Sequence, residues 1–212
     1  MLAMTDAQAR ADGTRDSPLG RGRVNQKERT RRAIVEAAKR LAKTGAVITM
    51  PMVAREALVS EATAYRYFPD LATLLREADE GTWPSPADAL APVADSDDPV
   101  ERVAFAARFL FRGVLGNQGA VRAMMSAAIT KPAVQARPGH RFGLIDEALA
   151  PVADRLDPGA LSQLRRDLAV VLSADALFIL MDLCGLDPEA AVASGVETAR
   201  RLTRAALADA VS

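Results

Sequence analysis

Chemically specialised residues are scarce in this chain of 212 residues. Cys184 is the only cysteine, which excludes an intrachain disulfide and is typical of a reducing cytoplasm. His140 is the only histidine, so protein side chains alone offer too few ligands for a zinc site. No apolar run approaches the roughly 20 residues that cross a bilayer, and the N-terminus lacks the apolar core of a secretory signal. We therefore expect a cytoplasmic protein with no membrane partner and no metal.

Charge is the feature that is unevenly distributed. The formal net charge is zero, but residues 21 to 76 contain 12 Lys and Arg against 5 Asp and Glu. Residues 77 to 212 contain 13 basic and 19 acidic side chains. A basic segment on an otherwise acidic chain suggests that this segment alone contacts a polyanion.

Apolar residues recur with helical spacing, and no stretch alternates with period two for long enough to predict a strand. We predict an all-α fold with a disordered tail over residues 1 to 22. A first domain of three helices and a connecting fourth helix is expected over residues 23 to 80. A larger helical domain is expected over residues 81 to 212.

The first four predicted helices have clear end signals. A helix is predicted from Asn25, and Gly45 supplies its C-terminal cap. Thr49 and Ser60 are expected to cap the second and third helices, and the latter ends near Phe68. Asp70 is expected to cap a fourth helix that runs to residue 80.

The second part of the chain begins after a stretch rich in Pro, Ser and Asp, residues 81 to 99, which predicts a loop or a domain seam. Helices are expected over residues 99 to 115, 118 to 129, 139 to 154, 158 to 184 and 188 to 210. The break before the third of these is the Pro- and Gly-containing stretch of residues 131 to 139.

Two short helices joined by a tight turn after a longer helix are typical of a helix-turn-helix. Small or polar side chains would then face base edges in the major groove, while hydroxyl and guanidinium groups donate to phosphates. Ala64 and Phe68 are expected to hold the third helix against its partner. Lys27 and Arg31 of the first helix also lie near enough to reach the backbone. The DNA-contacting residues predicted on this basis are Arg29, Arg32, Thr49, Ser60, Glu61, Ala62, Thr63, Tyr65, Arg66 and Tyr67. Taken alone, such a Tyr- and Arg-rich segment could equally be the solvated edge of a core.

Residues 29 to 75 resemble the DNA-binding domain of the tetracycline-repressor (TetR) family. The matching residues are Arg32, Ala33, Ile34, Ala37, Ala38, Gly45, Thr49, Val53, Ala54, Ala57, Val59, Ser60, Thr63, Tyr65 and Phe68, followed by Leu74 and Leu75. The resemblance implies a dimeric, all-helical regulator whose C-terminal helices hold a ligand pocket and the dimer interface.

Three positions depart from the family pattern. Leu58 stands where the turn usually has glycine, which predicts strain or a different backbone path. Ala62 replaces a frequent glycine of the recognition helix. Leu71 replaces a lysine that commonly opens the fourth helix, which should lower the salt dependence of DNA binding by about one unit.

The last two helices are expected to form the homodimer interface, because one is apolar nearly all round and the other is rich in small residues. Packing within one subunit is the alternative. An apolar ligand pocket should lie among the helices after residue 99. Its predicted lining consists of Phe105, Phe109, Met124, Met125, Phe142, Asp175, Phe178 and Met181, with Trp83 as a further candidate. Each of these side chains could also be plain core.

Asp175 and Asp182 lie seven residues apart in an apolar stretch, so each needs a partner. They could contact a polar or cationic ligand, or pair with an arginine of the same chain such as Arg122 or Arg141. We favour the arginine pair. His140 stands at a helix start, where a capping or surface role is favoured over general-base catalysis.

The sequence thus favours a sequence-specific transcriptional regulator, a dimeric repressor of a palindromic DNA operator that a small-molecule effector releases. An effectorless nucleoid-type binder is one alternative. An all-α enzyme is the other, but we find no nucleophile motif, metal set or Gly-rich phosphate loop, so neither catalysis nor a cofactor is expected.

Overall fold

The structure, a computed structural model, describes residues 18 to 130 and 140 to 209. All regular structure in these two ranges is helical, as predicted. The elements are α1 (Pro18–Ala42), α2 (Met50–Glu56), α3 (Glu61–Tyr67), α4 (Leu71–Asp79), α5 (Pro86–Leu90), α6 (Pro99–Gly116), α7 (Gln118–Thr130), α8 (His140–Leu149), α9 (Pro158–Val171), α10 (Ala174–Asp182) and α11 (Pro188–Asp209). Single 3-10 turns follow α5 and α8. Within the described ranges, no helix is long and apolar enough to cross a membrane.

The predicted caps of the short helices are confirmed. The side chains of Thr49, Ser60 and Asp70 accept hydrogen bonds from backbone N–H groups in the first turns of α2, α3 and α4, at 3.4, 3.2 and 2.8 Å. Gly45 has a positive φ of 71°, as expected for the residue that turns the chain after α1. These local bonds satisfy N–H groups that helices of seven to nine residues would otherwise leave unpaired.

Four predicted boundaries differ from the structure. Helix α1 already begins at Pro18, whereas we expected it at Asn25. The predicted loop over residues 81 to 99 contains α5, which Ser85 caps and whose Leu90 is buried. Helix α8 ends at Leu149 in a 3-10 turn containing Pro151. The expected tail up to residue 17, the break over residues 131 to 139 and the helix end at residue 210 lie outside the described residues.

The fourth difference is the division of the helix predicted over residues 158 to 184. Leu172 and Ser173 leave the helical conformation, and the Ser173 side chain accepts from the N–H of Ala176 at 3.0 Å to start α10. Ser173 is buried and also donates to the carbonyl of Val170 at 2.8 Å. A serine that caps a new helix can end the preceding helix while the apolar pattern continues. Apolar periodicity therefore does not reveal the break between α9 and α10.

The buried apolar residues form two clusters. The first, the N-terminal cluster, joins α1 to α4 and contains Ile34, Val53, Phe68 and Leu75 among others. The second, the C-terminal cluster, joins α5, α6 and α8 to α11 around Phe111. Phe111 lies so close to α11 that a Cβ on Gly195 would be 2.6 Å from its ring.

Helix α7 belongs to both clusters. Ala120 is buried in the N-terminal cluster, and Val121 and Met125 pack against the C-terminal cluster. A Cβ on Gly119 would lie 1.9 Å from the carbonyl oxygen of Ala46, so the start of α7 touches the backbone between α1 and α2. Only glycine permits this approach.

Arg102 is a buried charge that sequence patterns did not single out. Its guanidinium donates to the carbonyls of Val93 and Glu147, each at 2.8 Å, and to that of Ala94 at 3.1 Å. These carbonyls lie at the ends of helical segments, where C=O groups lack partners. Arg102 therefore joins the turn after α5 to the last turn of α8.

The turn between α2 and α3 has the hydrogen bonds of a Schellman motif, Leu58 N–H to Arg55 at 3.1 Å and Val59 N–H to Ala54 at 2.9 Å. In this motif the residue after the cap takes a left-handed conformation, which glycine usually supplies. Leu58 occupies that position with φ 57°, and its side chain is 93% exposed. The strain predicted at Leu58 thus corresponds to its positive φ angle.

We predict that Leu58→Gly raises the free energy of unfolding by about 1 kcal/mol. The left-handed conformation costs an L-residue about 1–2 kcal/mol, which outweighs the greater unfolded-state entropy of glycine, and the exposed side chain has little packing to lose. Urea denaturation of the full chain measures the change. Ala57→Gly is the matched control: Ala57 has φ −83°, so glycine should destabilise there. Destabilisation by Leu58→Gly would contradict this account of the turn.

Candidate nucleic-acid interface and ligand cavity

Helix α3 has one buried and one exposed face. Ala64 and Phe68, which were expected to hold the helix, are both 0% exposed. The predicted DNA-contacting residues of its first turn, Glu61, Ala62 and Thr63, are exposed or half-buried. Tyr65 and Arg66 are also exposed. These five side chains therefore share an accessible surface on a helix that begins at a capped turn.

The remaining predicted DNA contacts are also accessible, but three have structural partners. Thr49 and Ser60 cap α2 and α3, and Ser60 shares a hydrogen bond of 2.9 Å with the Thr63 hydroxyl. Tyr67 is half-buried against the N-terminal cluster, with the Arg66 guanidinium 5.6 Å from its ring. Arg29 and Arg32 are exposed on α1.

Positive charge on this part of the molecule is largely unpaired. Among the described side chains, Lys27, Arg29, Arg32 and Arg66 form no ion pair. Arg31 differs, because it is bound by Glu77 of α4 through two hydrogen bonds and lies 4.6 Å above the Phe68 ring. Arg31 therefore has a structural partner within the chain.

Leu71 contributes packing where the resemblance led us to expect a lysine. Its side chain is half-buried and packs against the N-terminal cluster. The departure exchanges a charged group for apolar contact at the start of α4, so no cation lies at this position.

A cavity of about 300 Å³ lies between the two clusters. Helices α1 and α4 form one side of it, and α6, α7, the start of α8 and the α9–α10 junction form the others. Its apolar lining is Leu75, Trp83, Leu110, Val114, Val121, Met124, Met125 and Leu172. Its polar lining includes Glu36, Lys39, Arg40, Lys43, Arg76, Asp79, Asn117, His140, Arg141, Ser173 and Asp175. The volume is at the lower end of the range of roughly 300 to 1,000 Å³ usual for small-molecule sites.

Trp83 and His140 separate this cavity from a second one of about 270 Å³. Their rings stack with centroids 5.3 Å apart, and both residues line both cavities. Asp79 accepts from Trp83 Nε1 at 3.0 Å and lies 3.5 Å from His140 Nε2. The far side of Trp83 lies against Gly113, where a Cβ would be 2.2 Å from the indole. His140 thus belongs to an aromatic wall.

The predicted ligand-lining residues are divided among three locations. Met124, Met125 and Asp175 line the first cavity, as does the further candidate Trp83. Phe109 lines the second cavity. The other predicted residues line neither cavity: Phe105, Phe142, Phe178 and Met181. Phe105 and Met181 pack against the C-terminal cluster, because regular apolar spacing marks core and ligand contacts alike.

Arg122 and Asp182 form the arginine pair that was favoured from sequence. Two hydrogen bonds of 2.7 and 2.8 Å join them, and the guanidinium lies 3.8 Å from the Phe178 ring centre. The hydrogen bonds from Arg122 hold the pKa of Asp182 below its usual range. The pair fastens α7 to the end of α10. Asp175 also has an interaction within the chain.

The α1 side of the cavity was not anticipated from sequence. Glu36, Lys39, Arg40 and Lys43 have the spacing of a solvated helix face, and nothing in the local pattern indicates that α6 and α7 lie opposite. Among the described residues, no group of three or more His, Cys, Asp or Glu side chains could hold a metal ion.

A comparison of the chain with models of protein families finds no match, and neither does a comparison with curated proteins.

We predict that Arg122→Gln raises the pKa of Asp182 towards its ordinary value of about 3.9. Because the folded-state pKa is depressed, the pair contributes stability above about pH 4 and loses it as pH falls through the folded value. Carboxyl-carbon NMR titration measures the change. Arg112→Gln, which removes the separate pair with Glu189, is the control and should leave Asp182 unaltered. An unchanged Asp182 titration in Arg122→Gln would refute the assignment.

Proposed function

We propose that this protein is a sequence-specific DNA-binding protein in which α1 to α3 form a helix-turn-helix domain connected through α4. More particularly, we propose a dimeric transcriptional repressor of the tetracycline-repressor type, released from a palindromic operator by a small-molecule effector. The observation that carries the proposal is the exposed face of α3. It combines small or polar side chains in its first turn with an adjacent surface of unpaired cations.

Direct base reading is assigned to the first turn of α3. Glu61, Ala62 and Thr63 follow the Ser60 cap and have the small or polar side chains that suit contact with base edges in a major groove. Tyr65, Arg66 and Tyr67, together with Arg29 and Arg32 of α1, are assigned to phosphates. Contacts of that kind fix the register of the helix but do not depend on sequence.

A homodimer through α9 to α11 would place two copies of α3 on one duplex. Val170 of α9, Ile179 of α10 and Leu183 directly after α10 are 71%, 51% and 80% exposed, so their apolar side chains are available to a second subunit. A two-fold interface over these residues would bury them. Adjacent half-sites lie about 34–36 Å apart, so DNA binding requires a defined separation of the two recognition helices.

The effector is assigned to the cavity between the clusters, which favours a ligand-responsive regulator over an effectorless nucleoid-type binder. A ligand there contacts α1 and α4 on one side and α6 and α7 on the other. It can therefore change the position of the proposed DNA-binding helices relative to the helices of the proposed dimer interface. By linkage, operator DNA must weaken ligand binding by the same factor.

Selection from a random duplex library by the purified full-length protein at moderate salt tests the proposal. A retained palindrome with half-sites about one helical turn apart is the expected result. Retention without sequence preference would replace the regulator by a nucleoid-type binder. No retention even at low salt would overturn DNA binding altogether, since electrostatic binding is strongest there.

For the selected duplex we predict that Tyr65→Phe weakens binding about fivefold, because one hydroxyl bond to a phosphate is worth about 1 kcal/mol. The same loss should occur on a scrambled duplex, because phosphate contacts carry no sequence information. Arg29→Gln should also reduce the slope of log affinity against log salt by about one unit. Fluorescence anisotropy measures both quantities. Arg155→Gln, which removes an exposed arginine in the distant α8–α9 connection, should change neither.

We also predict that Ile179→Glu with Leu183→Glu converts the protein to a folded monomer. Two carboxylates per subunit would be buried without partners in the interface. Sedimentation velocity with circular dichroism distinguishes dissociation from unfolding. The control is Val47→Glu, which places the same charge on a residue 73% exposed in the α1–α2 connection and should remain dimeric. A wild-type monomer, or a dimeric double variant, would contradict this interface.

A further inference from the structure

The cavity between the clusters has two chemically unlike walls. One wall carries four charged residues: Glu36, Lys39 and Arg40 of α1, and Lys43 in the turn directly after it. The facing wall, from α6 and α7, presents apolar residues: Leu110, Val114, Val121, Met124 and Met125. A ligand that satisfies both walls needs an apolar body and a charged or strongly polar end.

The unpaired charge on the polar side is positive. Lys39 pairs with Glu36 at 3.1 Å, and Arg40 pairs with Glu56 at 2.8 Å. In contrast, Lys43 in the turn after α1 and Arg76 of α4 line the cavity without an ion pair among the described residues.

The acidic lining residues are already engaged. Glu36 is bound by Lys39. Asp79 accepts from the Trp83 indole and faces His140. Asp175 has its own interaction within the chain. A cationic ligand would have to displace one of these contacts, whereas an anionic ligand meets cations that have none.

We propose that this cavity binds an amphipathic organic anion, with its apolar body against α6 and α7 and its negative group paired with Lys43 and Arg76. This inference rests on the proposed function, because it names the chemical class of the effector. The negative group bridges the turn after α1 and helix α4, and the apolar body contacts the C-terminal cluster. Such a ligand can shift the relative position of the two clusters only if it binds one of their relative positions more tightly than another.

Three probes with the same ten-carbon chain separate charge from apolar burial: decanoate, 1-decanol and decyltrimethylammonium. Each is titrated below its micellar concentration into the full-length protein. Fluorescence of Trp83, the only tryptophan, is monitored beside calorimetry. We expect decanoate to bind with one-to-one stoichiometry and at least about tenfold more tightly than either other probe, as two charge-assisted contacts imply. Equal binding of the three probes, or preference for the ammonium compound, would overturn the proposal.

Two variants locate the negative group. Lys43→Gln and Arg76→Gln should each weaken decanoate at least about fivefold and leave decanol binding unchanged. Arg108→Gln, which removes an exposed arginine of α6 outside the cavity lining, is the matched control and should bind decanoate like the wild type. Decanoate binding that is insensitive to both cavity variants would refute the assigned position.

DNA binding is measured separately without any probe, so the two proposals can fail independently. Operator binding by a protein that ignores decanoate would overturn only the anionic ligand class. Decanoate binding that depends on Lys43 and Arg76, in a protein that retains no DNA, would support the anion site and overturn the repressor.

Discussion

The contact of α7 with the backbone between α1 and α2 is the constraint on which the rest of the arrangement depends. Gly119 lies where any Cβ would collide with the Ala46 carbonyl, so the first turn of α7 can seat itself against this connection. Ala120 is then buried in the N-terminal cluster, while Arg122 reaches Asp182 at the end of α10. Helix α7 therefore connects both clusters, through the close approach of Gly119 to Ala46 and through the Arg122–Asp182 pair.

The cavity is a consequence of this joint. Helix α7 packs against α1 and α4, yet between these helices and α6 remains a space walled by Trp83 and His140. A space between two cores is a suitable place for regulation, because a molecule there touches parts that need not move together. The proposed repressor and its proposed anionic effector would both use this relation: DNA binding would depend on the position of α3, and the ligand would act on the helices that support α3.

Local signals predicted local structure well. Thr49, Ser60 and Asp70 cap their helices as expected, because a cap needs only a side-chain oxygen within a few residues of an unpaired N–H. Leu58 was expected to carry strain, and its positive φ follows from its place in the turn. The Arg122–Asp182 pair was also favoured in advance, since a carboxylate in an apolar stretch needs a partner. The break at Ser173 was missed, because apolar periodicity continues across it.

By itself the sequence determined the helical class, the ends of the short helices, the unequal distribution of charge and the residues available on α3. These depend on composition and on contacts over a few residues, which a linear pattern records. Only the tertiary structure decided that Arg31 belongs to Glu77, that Trp83 and His140 form a wall, and that the charged face of α1 lines a cavity. Each of these joins residues far apart in the chain, and such pairs are chosen by how the helices pack against one another.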